Sequence, residues 1–502
     1  MLRVMIIAAN QERMPDPIPP IGAAYIAAAA RQAGHITRIY DACFAAERYA
    51  EELAAELAAF RPDVIGLSIR NVDNVAFPNV TCYLDRYQRI VAVCREVSPK
   101  ATLFVGGSAF SLFPEEFAQK LDVDFGIVGE GENVFVQMLG EIDREGRVVG
   151  DYAGDDGVVF PGKVANLDAA VDPARDLLDV SRYFAEGGSI NIQTKRGCVY
   201  GCIYCTYPVL EGKQVRMREP TLVVDEIQRA VEQHGVDFFF FVDNVFNYPA
   251  EHCEAICREI LRRDLRVRWT AYVTPANCTR EMFELMRASG CQSMDFGTDC
   301  FSDPQLLRMG KSFDVEQVFR VSQWARELGI KFNHSLILGG PGETWETLRE
   351  TVENTVRSQA NAVIAIIGVR LYRDTPMARY AIGRGLVTRE EIGITPMFFI
   401  SEEIRDGVVD YLAEVATTYK NWIVPGIKKG MNQRFFTRVR SRGVKGPLWE
   451  LFEPMEYEGL PAGGRAGEAM PPATPGYVGG RQGIFRGADD EGDEQQVTEL
   501  LG

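Results

Sequence analysis

The sequence predicts an α/β protein: two successive βα series, then a mainly helical region. Short β-branched apolar runs alternate with amphipathic helical stretches over residues 2 to about 142, the pattern of a parallel sheet covered by helices. After a Gly- and Asp-rich break the same alternation resumes at Ser189. The chain has 502 residues, 46% hydrophobic and 25% charged, an ordinary globular composition with length for roughly three units at about 150 residues each.

In the first series the predicted strands are Arg3 to Ala9, Thr37 to Ala42, Val64 to Ile69, Thr102 to Gly106 and Phe125 to Gly129. Helices lie between them at Gly22 to Ala33, Arg48 to Phe60, Cys82 to Val97 and Pro114 to Leu121. Five βα units over residues 1–145 fit a flavodoxin- or Rossmann-like, doubly wound domain, which binds ligands outside the carboxyl ends of its strands. Residues 146–187 lose the rhythm and read as a linker with a short hairpin. The second series, residues 188–386, has strands at Ser189 to Thr194, Phe238 to Val242, Arg268 to Val273, Ser293 to Gly297, Lys331 to Leu338 and Ala362 to Arg370. Val223 to Gln233 and Val315 to Leu328 are examples of its helices. Six units are too few for a closed eight-stranded barrel of about 250 residues, so a partial barrel or another open sheet is expected. Residues 387–460 read as mainly helical, with Asp410 to Trp422 amphipathic. From residue 461 to 502, 14 of 42 residues are Gly or Pro and the end is acidic, the composition of a disordered tail.

With 54 Lys plus Arg against 70 Asp plus Glu, the net charge of −16 argues against phosphate neutralisation as the binding mode, so nucleic acid is not an expected partner. No run reaches about 18 apolar residues and the first residues lack a signal-peptide pattern, so the expectation is a cytoplasmic protein without a membrane span. In that reducing compartment eleven cysteines are not a disulfide framework.

Three of them fall within eight residues, Cys198-Val-Tyr-Gly-Cys202-Ile-Tyr-Cys205, directly after the first strand of the second series. A loop of this length lets three thiolates converge on a soft-metal site. A structural zinc site is normally closed by four protein ligands, and no histidine or fourth cysteine lies near, so the set favours an iron-sulfur cluster with one open iron. Buried, incidental cysteines and zinc with a distant fourth ligand are the alternatives.

On these residues the chain resembles the radical S-adenosylmethionine (radical SAM) enzymes, whose signature is CxxxCxxC with an aromatic before the last cysteine, here Tyr204. The resemblance implies a partial (β/α)6 TIM-like barrel in which Cys198, Cys202 and Cys205 hold a 4Fe-4S cluster. S-adenosylmethionine would chelate the open iron, be cleaved to methionine and a 5′-deoxyadenosyl radical, and meet Tyr204 at its adenine. The likeness runs over about residues 186 to 385. FFFFVDNVFN (Phe238 to Asn247) implies that Asp243 and Asn244 meet the S-adenosylmethionine amine. MDFGTDC (Met294 to Cys300) occupies the ribose-binding position, with Gly297 and, where Glu is more usual, the shorter Asp299. SLILGGPGET (Ser335 to Thr344) matches the glycine-rich turn, bringing Leu338 and Gly339 to the cofactor, and GVRLYRDTP (Gly368 to Pro376) matches a common close to the sixth strand.

In the first series the strand ends carry Pro17-Ile-Pro-Pro-Ile-Gly22, Ser68-Ile-Arg70-Asn71, Gly106-Gly107-Ser108 and Gly129-Glu130-Gly131-Glu132. Glycines there let backbone approach a bulky ligand. The set PPIG, VGGS and VGEGE resembles the cobalamin-binding domain found ahead of many radical SAM domains. This implies cobalamin contacts from Ser68, Arg70, Gly106, Gly107, Ser108, Gly129, Glu130, Gly131 and Glu132. The cobalt-ligating motif Asp-x-His-x-x-Gly is missing, and His35 reads as structural. Cobalt is then expected without a histidine ligand, with Arg70 near its lower face or in an interdomain salt bridge. SIRNVDN (Ser68 to Asn74) resembles the tryptophan C-methylase and phosphinate P-methylase branches.

Together these resemblances imply a class B-like, cobalamin-dependent radical SAM methyltransferase, moving methyl from methylcobalamin to an unactivated carbon or phosphorus of a small-molecule substrate. A cobalamin-dependent rearrangement or cyclisation is the alternative, and a non-catalytic sensor a third. An electron donor of flavodoxin or ferredoxin type is implied. The other eight cysteines are expected to be buried. Seven basic residues and no acid fall between Lys428 and Lys445 (Lys428, Lys429, Arg434, Arg438, Arg440, Arg442, Lys445). They read as a solvated helical face, or else as a docking site for an acidic carrier or an anionic substrate.

Overall fold

A computed structural model describes residues 1–154, 156–169, 172–427 and 433–461. The first sheet contains β1 (Arg3–Ala8), β2 (Ile36–Asp41), β3 (Val64–Ser68), β4 (Thr102–Gly106), β5 (Phe125–Ile127) and β6 (Val158–Val159), in the order β2-β1-β3-β4-β5-β6 with every pair parallel. Its central strands are apolar on both faces because helices cover both. Met5, Ile7, Leu67 and Val105 pack with Leu53, Phe60, Tyr87 and Phe117, whereas Val4, Ile6 and Phe104 pack with Ala23, Ala27, Phe135 and Met138. The order reverses between β1 and β3, which opens a crevice above their carboxyl ends. β6 falls in the stretch read as a linker. Two residues are too few for a period-2 signal, but they extend the sheet, and an antiparallel bridge Ala153 to Val159 makes the expected tight reversal.

The second sheet follows with β7 (Ile190–Ile192); β8 (Lys195–Arg196) and β9 (Arg216–Met217) form a separate two-stranded ribbon. Its further strands are β10 (Phe238–Phe241), β11 (Arg268–Val273), β12 (Cys291–Asp299), β13 (Lys331–Leu338) and β14 (Ala362–Ile367). β15 (Val369–Arg370) pairs with β16 (Phe398–Phe399), and β17 (Trp422–Ile423) ends the series. The sheet order is β17-β14-β13-β12-β11-β10-β7, parallel throughout: six βα strands in sequence, as expected of a partial barrel, plus one late strand on the β14 edge. β17 comes from the region read as mainly helical, where the amphipathic helix covers Val408–Thr418.

One end of the barrel is closed by the C-terminal segment. Ser293 Oγ donates to Glu450 Oε1 at 2.6 Å, Lys331 Nζ to the Glu450 carbonyl at 2.6 Å, and Asn361 Nδ2 to the Phe452 carbonyl at 3.3 Å. Two members of the basic stretch are anchored to the rest of the fold. Arg440 is buried against Asp16 at 2.6 Å, and Lys445 donates to the Phe184 carbonyl at 2.8 Å, while Arg438 and Arg442 are exposed. Lys428, Lys429 and the acidic tail lie outside the described residues, as do the side chains of Arg434 and Phe435. Among the described residues no helix is long and apolar enough to cross a membrane.

Candidate active site between the two sheets

The cysteine loop is fixed by backbone geometry on both sides. β8 delivers Gly197 at φ +96°, where a Cβ would stand 2.1 Å from the Gln214 carbonyl oxygen. Cys198 N donates to the Gly212 carbonyl at 3.1 Å and Cys205 N to that of Cys202 at 3.2 Å. Ile203 between them is bonded in both directions, from its amide to the Met309 carbonyl at 3.2 Å and from the Met377 amide to its own carbonyl at 2.8 Å. Cys198 is buried, and Cys202 and Cys205 are half-buried.

Burial pushes all three thiols up, Cys205 to about 12; Cys202 raises Cys198 further, and Cys202 and Cys198 raise Cys205. Such a set favours thiolates only when a cation sits among them. Among the described residues no three His, Cys, Asp or Glu are gathered to hold a single metal ion. Three thiols on one rigid loop, with no fourth donor beside them, suit a polynuclear centre that keeps one metal position open.

Lys311 organises the next layer, and sequence reasoning missed it. Its Nζ lies 2.5 Å from Asp299 Oδ2, 2.9 Å from the Gly297 carbonyl and 3.4 Å from the Tyr204 hydroxyl, beside Cys202, with Asp299 buried and Lys311, Gly297 and Tyr204 half-buried. Tyr204, Gly297 and Asp299 are thus brought together as expected. The available signal was Gly310-Lys311, directly after the short helix Asp303–Arg308.

Asp243 is engaged within the protein: its carboxylate accepts from Thr194 N (2.7 Å), Thr194 Oγ1 (2.5 Å) and Lys195 N (3.2 Å), with Lys195 Nζ at 3.8 Å, so it ties the end of β10 to the segment between β7 and the cysteine loop. The carboxylate beside the loop is instead Glu211, which accepts from Gly197 N at 2.9 Å and from Asn244 Nδ2 at 2.8 Å. Leu338 and Gly339 sit at the end of β13, but their backbone groups serve the fold. Leu338 O accepts from Gly368 N, Gly339 O from Ser401 N, and Gly339 N donates to Glu343.

Facing the loop, the first sheet presents a cavity of about 550 Å³. All nine residues expected to contact cobalamin line it: Ser68, Arg70, Gly106, Gly107, Ser108, Gly129, Glu130, Gly131 and Glu132. Asn191, Tyr207, Glu211 and Tyr372 close it from the second unit. Gly107 has φ +100°, and a Cβ there would stand 2.4 Å from the Ile69 carbonyl oxygen, so the β4 corner can sit tight beneath the cavity only as glycine. Ser108 Oγ donates to the Arg70 carbonyl at 2.6 Å, which ties the two loops that meet at the mouth. Arg70 itself is exposed, and among the described residues no acid pairs with it, so the interdomain salt bridge is not formed there.

Glu130 and Glu132, which line the cavity, are also ion-paired. Arg216 reaches Glu130 at 2.5 Å and Arg196 reaches Glu132 at 2.7 Å, so both carboxylates clamp the first sheet to the ribbon preceding Cys198. Burial alone would raise the Glu130 pKa, but Arg216, Arg196 and the Val164 amide hold it below the usual carboxylate range. A further clamp joins two of the sequence motifs: Asp73 of SIRNVDN and Arg370 of GVRLYRDTP form a fully buried ion pair at 3.0 Å. His35 accepts from Leu2 N at 3.3 Å, a structural role. Of the other eight cysteines six are buried, Cys278 is half-buried, and Cys82, against expectation, is exposed.

Comparison with known proteins agrees with this two-sided geometry. The Radical SAM superfamily model matches residues 192–354 and the B12 binding domain model residues 12–139. Tryptophan 2-C-methyltransferase of Streptomyces laurentii is 25% identical over 441 residues, 72% of each chain. Anaerobic magnesium-protoporphyrin IX monomethyl ester cyclase of Rubrivivax gelatinosus is 26% identical over 351 residues, 66% of this chain and 61% of that protein. The structure of the radical S-adenosylmethionine methyltransferase TsrM of Kitasatospora setae, solved with tryptophan and a SAM analogue, superposes with a TM-score of 0.79 at 22% identity, over 89% of this chain and 96% of that one. The chain therefore belongs to the cobalamin-dependent radical SAM enzymes, with a B12-binding domain ahead of its radical SAM domain and with S-adenosylmethionine, a 4Fe-4S cluster and cobalamin as cofactors.

Proposed function

We propose that the protein is a cobalamin-dependent radical SAM methyltransferase acting on a carbon or phosphorus of a small molecule. The observation that carries this reading is the opposition of two built surfaces: the rigid CxxxCxxC loop and the cavity formed by the ends of β1, β3, β4 and β5. When bound, the cluster supplies the electron that cleaves S-adenosylmethionine, and cobalamin relays a methyl group.

The chain's own residues hold these groups and seal the space between them. Cys198, Cys202 and Cys205 would hold the cluster through their thiolates. Tyr204, Gly297 and Asp299 take the nucleoside side, and Lys311 holds Asp299 in place at 2.5 Å. Leu338 and Gly339 contribute shape and van der Waals contact rather than hydrogen bonds. Asn244 acts through Glu211 to steady Gly197 and the start of the loop. In the first domain, Gly106, Gly107, Ser108, Gly129 and Gly131 leave room for the corrin and its tail, while Ser68 and Arg70 rim the crevice at the end of β3. The ion pairs Asp73–Arg370, Glu130–Arg216 and Glu132–Arg196 keep the two domains closed over the substrate and exclude water.

We place the two domains at residues 1–145 and 188–386; the joining segment 146–187 adds β6 to the first sheet, and residues 387–460 add β17 to the second and close the barrel. The cluster needs a one-electron donor, for which we propose a flavodoxin or ferredoxin-type carrier in the reducing cytoplasm.

The likeness to the Rubrivivax cyclase supports a second reading, a rearrangement or cyclisation without methyl transfer. Anaerobic incubation of the reconstituted enzyme with S-adenosylmethionine and a reductant separates the two. Methyl transfer gives S-adenosylhomocysteine, dependent on cobalamin, together with 5′-deoxyadenosine. 5′-Deoxyadenosine without S-adenosylhomocysteine favours the second reading, and S-adenosylhomocysteine without 5′-deoxyadenosine overturns the radical step.

A further inference from the structure

Inside the barrel, between the cysteine loop and the C-terminal plug, one buried carboxylate has no cation. Asp295 lies on β12, in register with Asn333 of β13. Ser335 Oγ donates to its Oδ1 at 2.7 Å, and apart from the neighbouring Asn333 amide no other side chain among the described residues meets it. Among the other acids around the site, Glu211 and Glu343 each accept two hydrogen bonds, from Gly197 N and Asn244 Nδ2 and from Gly339 N and Gly340 N, and four more meet a cation of the protein. Asp299 has Lys311, Asp243 has Lys195 and two backbone amides, Asp73 has Arg370, and Glu130 has Arg216. A buried carboxylate with neutral partners only is costly to keep in its charged form unless a cation joins it.

The walls beside Asp295 suit such a cation. The rings of Phe240 and Tyr272 lie with centroids 5.0 Å apart on the adjoining β10 and β11. Tyr272 is in register with Asp295, and it is 39% exposed although it belongs to a central strand, so it borders a hollow and not the core. Its hydroxyl is pushed up by burial of the ring, then by Asp295 and Tyr207, and Arg70 opposes them. Below it the barrel is shut, because Ser293, two residues earlier on the same face, is bonded to Thr270 and Glu450.

We propose that Asp295 binds a protonated amine on the substrate, whose apolar or aromatic body lies against Phe240 and Tyr272. This rests on the methyltransferase reading and narrows its substrate class to amine-bearing small molecules.

The test is equilibrium binding of phenethylamine and of its neutral counterpart 2-phenylethanol to the anaerobically reconstituted holoenzyme, followed by calorimetry. Wild type is expected to bind the amine at least tenfold more tightly. Asp295→Asn abolishes that preference while corrinoid and cluster absorption stay intact. Ser335→Ala, which keeps the carboxylate, retains the preference within threefold. The inference is overturned if wild type binds neither probe or binds both equally, if Asp295→Asn keeps the preference, or if Ser335→Ala loses it as completely as Asp295→Asn. A protein that takes up no corrinoid would instead refute the functional reading on which the inference rests.

Discussion

Gly107→Ala tests the claim that the first domain is shaped for a large ligand. Gly107 has φ +100° and ψ 175°, a region that essentially only glycine occupies, and holding alanine there costs about 1–3 kcal/mol. The new Cβ would also stand 2.4 Å from the Ile69 carbonyl oxygen and 3.1 Å from Ile69 C and N. These are backbone atoms, so no side-chain rotation relieves the contact, and overpacking adds about 1–3 kcal/mol. Relief requires β3 to move away from β4, which strains Ile69 N to Gly106 O at 2.9 Å and Ala109 N to Ile69 O at 3.2 Å. The sum, about 2–6 kcal/mol, is a large part of a typical stability of about 5–15 kcal/mol.

All five tryptophans lie at Trp269 or beyond, so fluorescence follows the barrel, and circular dichroism is the better probe of the first domain. Gly107→Ala should lower the guanidinium midpoint by circular dichroism and cut corrinoid content per chain at least tenfold. Gly22→Ala is the control: nothing lies within 4 Å of its Cβ position in the first turn of a helix, so it should be neutral or stabilise by up to about 1 kcal/mol. An unchanged midpoint with full corrinoid content in Gly107→Ala would mean that the β4 corner does not need glycine to seat the ligand.

Cys202→Ala should lose the cluster's visible absorption without a change in far-ultraviolet dichroism, whereas Cys94→Ala, a buried thiol under the first sheet, should keep it and lose about 1–2 kcal/mol of stability. Asp243→Ala should destabilise the protein by about 3–5 kcal/mol, because it strands Lys195 Nζ and two loop amides in a buried site; a stable variant with weakened S-adenosylmethionine binding alone would restore the direct cofactor role. Glu450 is pushed up by burial from 4.5 to about 7. The folded chain therefore binds more protons than the unfolded one between those values, and the protein loses stability as pH rises through that window. Glu450→Gln should remove that slope, giving a variant more stable than wild type by about 2 kcal/mol at pH 8 and indistinguishable at pH 5 in melting curves.

The βα rhythm was legible because both faces of each central strand are covered, so Val64–Ser68 or Arg268–Val273 read as continuous apolar runs between amphipathic helices. β6 and β17 were not, since two residues pair only because a neighbouring edge is waiting for them. At the site, the cysteine spacing and the strand-end glycines are local properties, and they mark the loop and the cavity mouth correctly. What spacing does not encode is which charge meets which. Asp243, Glu130 and Glu132 stand where ligands were expected, yet each is matched by Lys195, Arg216 or Arg196, partners 48, 86 and 64 residues away. Lys311 was missed for the same reason: it reaches Tyr204 across 107 residues of sequence. Arg440 and Lys445 show the converse, a basic run whose members anchor the C-terminal segment to Asp16 and Phe184.

Whether one chain holds two redox cofactors face to face is read from the absorption spectrum together with iron and cobalt analysis of the anaerobically reconstituted protein. One corrinoid and one four-iron cluster per chain are predicted, the cluster lost and the corrinoid kept in Cys202→Ala. A protein with the cluster but without corrinoid bands, or with a single iron or zinc on the three cysteines, would contradict it.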